Sequence, residues 1–289
     1  MGNFEFARAK TTREAVELLS QNEGKARIIA GGTDLLVAIR SGTDSPECLI
    51  DIHLVQELGH IGIGNGELRI GALATHHEIA THPTIQERFT ALAQASSMLG
   101  SRQIRNVGTV SGNLCNASPA AETAAPLLVL EAKVKALGPD GERVIPLDDF
   151  FLGPGQTALR YDELVTEIAA PDVGPNTGSA YLKLSPRRAM DLAIVGVAVL
   201  IMVDSDRVTC SDCRIALGAA APIPIRAIAA EKTLAGRELT DSLIEEVAQL
   251  AAEESRPISD VRASAAYRKE MVGVLMGQAI RQAWEKVLG

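Results

Sequence analysis

Aromatic residues are scarce in this chain: its 289 residues include five Phe, three Tyr and one Trp, 3% in all. Few rings are available to stack on a planar ligand or a nucleic-acid base, so backbone and aliphatic contacts must do most of the holding of any such group. There is no dense Lys/Arg block, and the formal net charge of -8 makes nucleic acid and acidic membranes poor partners. Apolar runs such as Ala193 to Val203 fall far short of the ~20 residues a membrane-spanning helix needs. The stretch Met1-Gly2-Asn3-Phe4-Glu5-Phe6 has no basic segment leading into an apolar one, so no secretory signal is expected and the expected location is cytoplasmic. The length exceeds that of one typical compact domain, and two or three sub-domains are expected.

Only four cysteines occur, Cys48, Cys115, Cys210 and Cys213. Cys210-Ser211-Asp212-Cys213 has CxxC spacing, but no second CxxC and no His pair completes a tetrahedral metal site. On the strand that continues into Arg214-Ile215-Ala216-Leu217-Gly218, residues three apart point to opposite faces. Unpaired, ordinary buried thiols are expected, with no metal site and no iron–sulfur cluster within the chain.

What the sequence does have is glycine at two informative places. Ala30-Gly31-Gly32-Thr33-Asp34 follows the apolar run Ala26 to Ala30, and Asn106-Val107-Gly108-Thr109-Val110-Ser111-Gly112-Asn113 lies further on. Glycine permits close backbone approach and positive φ, and successive N–H groups in such turns form a concave nest suited to phosphate oxygens. One nest is a common product of turn chemistry. Two in one chain suit a diphosphate, which has two phosphoryl groups to hold.

Thr11-Thr12-Arg13-Glu14 reads as a capping box opening the amphipathic segment Ala15 to Leu19, and with the strand Ile28-Ile29-Ala30 it gives a βαβ-like start. Ile61 to Ile70 alternates about Asn65-Gly66 and reads as a hairpin with a type I′ turn. Its glycines lack G-x-G-x-x-G spacing and precede a strand, which excludes a Rossmann fingerprint. Thr75-His76-His77-Glu78 is a second capping box. His76 and His77 point roughly 100° apart on a helix and cannot share a metal, so both read first as first-turn residues beside a loop, with the lining of a cofactor pocket as the alternative for either. A helix is expected over Ile85 to Leu99, and Ser118-Pro119 suits the start of a helix carrying Glu122 in its first turn. Gly138-Pro139-Asp140-Gly141 reads as a turn, Glu163 to Ala169 as a strand, and Pro171 to Gly178 as a linker. Beyond it, three strands (Ser179 to Leu184, Leu192 to Val203, Cys213 to Leu217) precede helices at Ile225 to Leu234, Ser242 to Glu254 and Ala263 to Val287, a separate α+β unit.

AGGTDLL at Ala30 to Leu36, IRNVGTVSGNLCNASPAAE at Ile104 to Glu122, SAYLKLSPRRAMDLA at Ser179 to Ala193 and RIALGAAAPIPIRA at Arg214 to Ala227 occur in this order over almost the whole chain. With these four motifs the sequence resembles the FAD-binding medium subunit of the molybdenum hydroxylases, the group of xanthine dehydrogenase and carbon monoxide dehydrogenase. The resemblance implies an α+β fold: a vanillyl-alcohol-oxidase-type FAD-binding fold of two sub-domains plus a C-terminal α+β domain with a three-stranded antiparallel sheet and helices. The expected boundaries are 1–55, 56–175 and 176–289. It implies FAD as cofactor, with Ile29, Ala30, Gly31, Gly32, Thr33, Asp34 and Leu35 on one side of the diphosphate. Gly108, Thr109, Val110, Ser111, Gly112 and Asn113 would lie on the other, with Leu99 and Val165 as further contacts. Glu122 matches a family Asp on the ribose or adenine side, and Lys183 a lysine near the flavin ring. Read without the resemblance, Lys183 is a strand lysine facing solvent. One departure stands out: Thr-Val-Ser-Gly-Asn replaces the more usual Thr-Ile-Gly-Gly-Asn.

The implied activity is electron relay. A molybdopterin-binding large subunit hydroxylates the substrate, a 2Fe-2S small subunit passes electrons to FAD, and NAD+, a quinone or another acceptor takes them, in a dimer of heterotrimers. This chain would supply no catalytic acid or base to the hydroxylation. The alternatives are a stand-alone FAD-dependent oxidoreductase of the same fold, with its own proton donor, and an assembly subunit that has lost FAD.

Overall fold

The computed structural model describes residues 4–187, 189–205 and 207–288. The first unit runs β1 (Glu5–Arg8), α1 (Thr12–Gln21), β2 (Ala26–Ile29), α2 (Leu35–Ser41) and β3 (Cys48–Asp51). Its three strands are parallel, in the order β1-β3-β2. Thr11 caps α1 by accepting the Glu14 N–H at 3.1 Å, but the Glu14 carboxylate reaches back to the Lys10 N–H at 2.7 Å rather than to Thr11, so the expected box is shifted by one residue.

The second sheet, antiparallel, is built from β4 (Ile61–Gly64) and β5 (Glu67–Gly71), then, beyond six helices, β6 (Lys133–Gly138) and β7 (Gly141–Pro146). A small hairpin, β8 (Phe151–Gly153) with β9 (Gln156–Thr157), precedes the central strand β10 (Leu164–Pro171), giving the order β4-β5-β10-β6-β7. Asn65 and Gly66 have φ of +54° and +79°, the two left-handed residues a type I′ turn requires. The inserted helices are α3 (His76–Thr81), α4 (Pro83–Arg88), α5 (Thr90–Met98), α6 (Arg102–Arg105), α7 (Val110–Cys115) and α8 (Ala124–Val129). The single helix expected over Ile85 to Leu99 is broken at Phe89, whose ring is 1% exposed and whose φ/ψ of -116°/48° is not helical. Burying that ring outweighs helical continuity. α8 starts at Ala124, so Glu122 lies in the preceding turn and not in a first helical turn.

The third unit holds β11 (Thr177–Leu184), β12 (Val195–Val203) and β13 (Thr209–Gly218), joined by the two-residue strands β14 (Ile225–Arg226) and β15 (Arg237–Glu238). The three expected long strands are thus extended by two short ones. α9 (Ile228–Leu234), α10 (Asp241–Glu254) and α11 (Ala265–Leu288) cover one face. Alternation sorts the side chains: Val195, Val197, Val199 and Ile201 pack under these helices, while Ala198, Leu200 and Ala216 join the core of the second unit. The free edge of β11 is covered by α5, where Gln94 Oε1 accepts the Tyr181 N–H at 2.7 Å and Ser179 Oγ accepts the Ala91 N–H at 3.1 Å.

The expectation for Cys210 and Cys213 is corrected by the register. A bulge places Cys210 opposite Val203 and Asp212 opposite Met202, leaving Ser211 as an extra residue. One inserted residue cancels the strand alternation, and both thiols enter the same buried cluster under the helices. Burial, and then the neighbouring Cys210, push the Cys213 thiol well up from its ordinary range. The expected free state holds, since both cysteines are unpaired.

α11 reaches this sheet at Gly178, where an added Cβ would lie 2.0 Å from the Ala283 carbonyl oxygen. Backbone cannot yield as a side-chain tip can. Gly178→Ala is therefore expected to destabilise the chain by about 3 kcal/mol, the upper end for overpacking, read as a lowered urea midpoint with an unchanged slope.

Candidate FAD site

β2 leaves the first sheet at Ile29, whose carbonyl accepts the Ile52 N–H from the segment after β3 at 3.3 Å. The carboxyl ends of parallel strands are where open α/β sheets take up ligands. Ala30 to Asp34 turn here, and Gly32 has φ of +67°, a conformation that favours glycine. Gly31 is required for a different reason. An added Cβ would lie 2.1 Å from the Val107 carbonyl oxygen and 2.8 Å from Gly108 Cα, so the two glycine-bearing loops meet backbone to backbone. The N–H groups of Gly31, Gly32, Thr33 and Asp34 have no acceptor among the described residues. α2 follows with Leu35 at its start and no buried residue, Leu36 and Val37 being exposed.

The second loop is held from behind. The His76 N–H donates to the Gly108 carbonyl at 3.0 Å, and the Val110 N–H to the Ala74 carbonyl at 3.2 Å. Thr109 then caps α7, its Oγ1 accepting the Gly112 N–H at 3.0 Å. This revises the expected nest. The Gly112 amide is already satisfied, the Asn113 amide donates to the Thr109 carbonyl at 3.0 Å, and Ser111 is the member of the pair Ser111-Gly112 whose N–H has no acceptor. Gly112 is needed because a Cβ there would come 2.9 Å from Thr109 Oγ1. Asn113 turns its Oδ1 to the Thr123 hydroxyl at 2.7 Å, fixing the turn that carries Glu122.

Around Gly108, an added Cβ would be 3.4 Å from Thr33 Oγ1 and 3.5 Å from His76 Cδ2. His76, read from sequence as an ordinary first-turn residue, is 1% exposed behind this loop, and its Nδ1 has no partner. Burial lowers its pKa to about 4, which keeps the imidazole neutral at pH 7. Its position immediately after the cap of α3 was legible, but not the packing of α3 against the second loop. Cys115 reaches solvent, yet the surrounding protein pushes its thiol up to about 12.

Glu122 and Lys183, assigned from sequence to different parts of the cofactor, are joined to each other. Lys183 Nζ donates to Glu122 Oε1 at 2.8 Å and to the Asp191 carbonyl at 2.7 Å. The two side chains are only 6% and 7% exposed, which excludes the solvent-facing reading of Lys183. Tyr181, two residues earlier on the same face of β11, lies beneath Gly196, where a Cβ would come 2.9 Å from its hydroxyl. Burial, reinforced by the Glu122 carboxylate, raises the Tyr181 phenol well above its ordinary range. Leu99 sits at the end of α5, its carbonyl accepting Arg105 Nη1 at 3.0 Å. Val165 is buried on β10 in the same core as Val110 and Leu114.

Residues 2–173 match the FAD binding domain in molybdopterin dehydrogenase, and residues 180–283 the CO dehydrogenase flavoprotein C-terminal domain. The chain belongs to this FAD-binding family. Both glycine loops fall within the residues matched by the FAD-binding domain. The chain is 34% identical to the putative xanthine dehydrogenase FAD-binding subunit XdhB of Escherichia coli (strain K12), covering 97% of each. It is 34% identical to the carbon monoxide dehydrogenase medium chain of Hydrogenophaga pseudoflava, covering 98% of each. A solved structure of carbon monoxide dehydrogenase from that organism superposes with a TM-score of 0.95, at 34% identity over 99% of this chain and 98% of the other. The expected α+β fold of an FAD-binding body with a C-terminal α+β domain is that of the family, and FAD is its cofactor.

The residues present fit that group. A run of unpaired amides in the first loop, with the unpaired Ser111 amide and hydroxyl in the second, offers donors to an acceptor-only diphosphate. The buried pair is open to a direct check. Removing one partner, by Glu122→Gln or Lys183→Met, is expected to cost about 3 to 5 kcal/mol by leaving the other charge unpaired. The double variant should recover most of that loss in a urea double-mutant cycle.

Proposed function

We propose that this chain is the FAD-binding electron-transfer subunit of a molybdenum-containing hydroxylase or dehydrogenase. A 2Fe-2S subunit would deliver electrons to its FAD, and NAD+, a quinone or another acceptor would take them. The observation that carries this reading is the contact of Gly31 with Val107 and Gly108, which brings two sets of unpaired N–H groups together. Each hydrogen bond from such a donor to a charged oxygen contributes roughly 1.5 to 3 kcal/mol. Gly31, Gly32, Thr33, Asp34 and Leu35 would hold the diphosphate from one loop and Thr109 and Ser111 from the other. Ile29, Ala30, Gly108, Val110, Gly112 and Asn113 would shape and support the loops, with Leu99 and Val165 on their flanks.

FAD supplies the junction chemistry, taking electrons singly and releasing them as a pair. The chain's own residues position it and set its electrostatic surroundings. Lys183 is neutralised by Glu122, so the site presents a compensated pair and not an isolated cation. Neither group is a free acid suited to protonating a substrate, which favours the relay over a stand-alone oxidoreductase. Hydroxylation would then reside on a molybdopterin-binding large subunit, in a dimer of heterotrimers. Among the described residues no group of His, Cys, Asp and Glu is placed to hold a metal ion. Equal identity to relatives named for xanthine and for carbon monoxide fits a substrate pocket on another polypeptide.

Titration of the purified chain with FAD tests the reading. One FAD per chain is expected, with quenched flavin fluorescence. Gly31→Ala should weaken binding at least tenfold by forcing the loops apart, while the far-UV spectrum is retained. A substrate of the complex should reduce the bound FAD only when the molybdenum and iron–sulfur subunits are added. Reduction by the chain alone would establish the stand-alone oxidoreductase instead.

A further inference from the structure

Ser111 is the serine of the second glycine loop, and its environment leaves it without a partner. Val110 and Leu114 anchor α7 in the core, and Ser111 between them is 4% exposed, with no hydrogen-bond partner for its Oγ. A helical serine commonly returns its hydroxyl to the carbonyl four residues back. Here that carbonyl belongs to Val107, which lies outside the helix and packs against Gly31. The Ser111 N–H also lacks an acceptor among the described residues. Buried polar groups are nearly always paired, so an orphaned hydroxyl and an orphaned amide on one residue indicate a missing partner. An acceptor-only partner satisfies both the Ser111 hydroxyl and amide.

Building on the FAD reading above, we propose that the Ser111 hydroxyl is an additional ligand of the cofactor's diphosphate, donating to a phosphoryl oxygen alongside its own N–H. The ligand chemistry is that of a diphosphate ester, recognised without any aromatic stacking.

The test uses the full chain and Ser111→Ala, with Ser111→Gly as a second variant that also lacks the hydroxyl. FAD and ADP are titrated into each, ADP keeping the diphosphate and lacking the flavin. Thermal unfolding is recorded without and with each ligand. Removing an unpaired buried hydroxyl should raise the melting temperature of the ligand-free chain. The same change should weaken FAD and ADP by a common factor of roughly ten, the worth of one charge-assisted hydrogen bond. Opposite signs in the free and bound states are the signature, because a merely structural serine would shift both equally. FAD affinity within twofold of the parent in both variants would overturn the assignment and leave an internal water as the partner of Oγ. Failure of the folded parent chain to bind either ligand would overturn the FAD reading itself.

Discussion

Everything at this site depends on a contact that contains no side chain. Gly31 lies against the Val107 carbonyl and Gly108 Cα so closely that a Cβ at residue 31 would overlap the carbonyl oxygen. The contact joins the carboxyl end of a parallel strand in the first sheet to the start of α7 among the helices of the second unit. It fixes the spacing of two sets of amides that have no other partners. Positive φ explains Gly32 and the cap of α7 explains Gly112, so the glycines have separate physical causes although they look alike in sequence.

Backbone recognition also fits the composition. With 3% aromatic residues the chain has little to stack with, and N–H donors are independent of side-chain chemistry. Their direction must then be set by packing. Thr109 caps α7, Asn113 ties down Thr123, and His76 braces Gly108 through its own amide. A neutral buried imidazole is compatible with that bracing role, since it adds no positive charge behind the loop.

Much of the architecture was legible because local signals and tertiary structure agree. The Asn65-Gly66 turn, the Thr75-to-Glu78 capping box and the alternation of β12 each follow from short-range chemistry. The departures share a different cause. Phe89 breaks a helix because its ring is worth more in the core than a continuous backbone is. Ser211 forms a bulge that turns Cys210 and Cys213 to one side, which no count of strand positions anticipates. Glu122 and Lys183 are 61 residues apart, and only the docking of the third sheet brings them together. His76 was hidden in the same way, since a capping box announces a helix but not what lies behind its first turn.

The buried pair carries the argument from fold to function. A carboxylate and an ammonium so far from water are costly, and hydrophobic residues of similar size would often be as stable. The pair links a turn that Asn113 ties to the second loop with a strand of the third sheet, and the Asp191 carbonyl accepts a further hydrogen bond from Lys183. Any movement of the third sheet away from the loops would strand both charges. The same bond that compensates Lys183 therefore keeps the C-terminal unit in register with the amides of Ser111 and the first loop. Electrostatic compensation and mechanical registration are one interaction here, and the placing of the loops' free amides depends on the second as much as on the first.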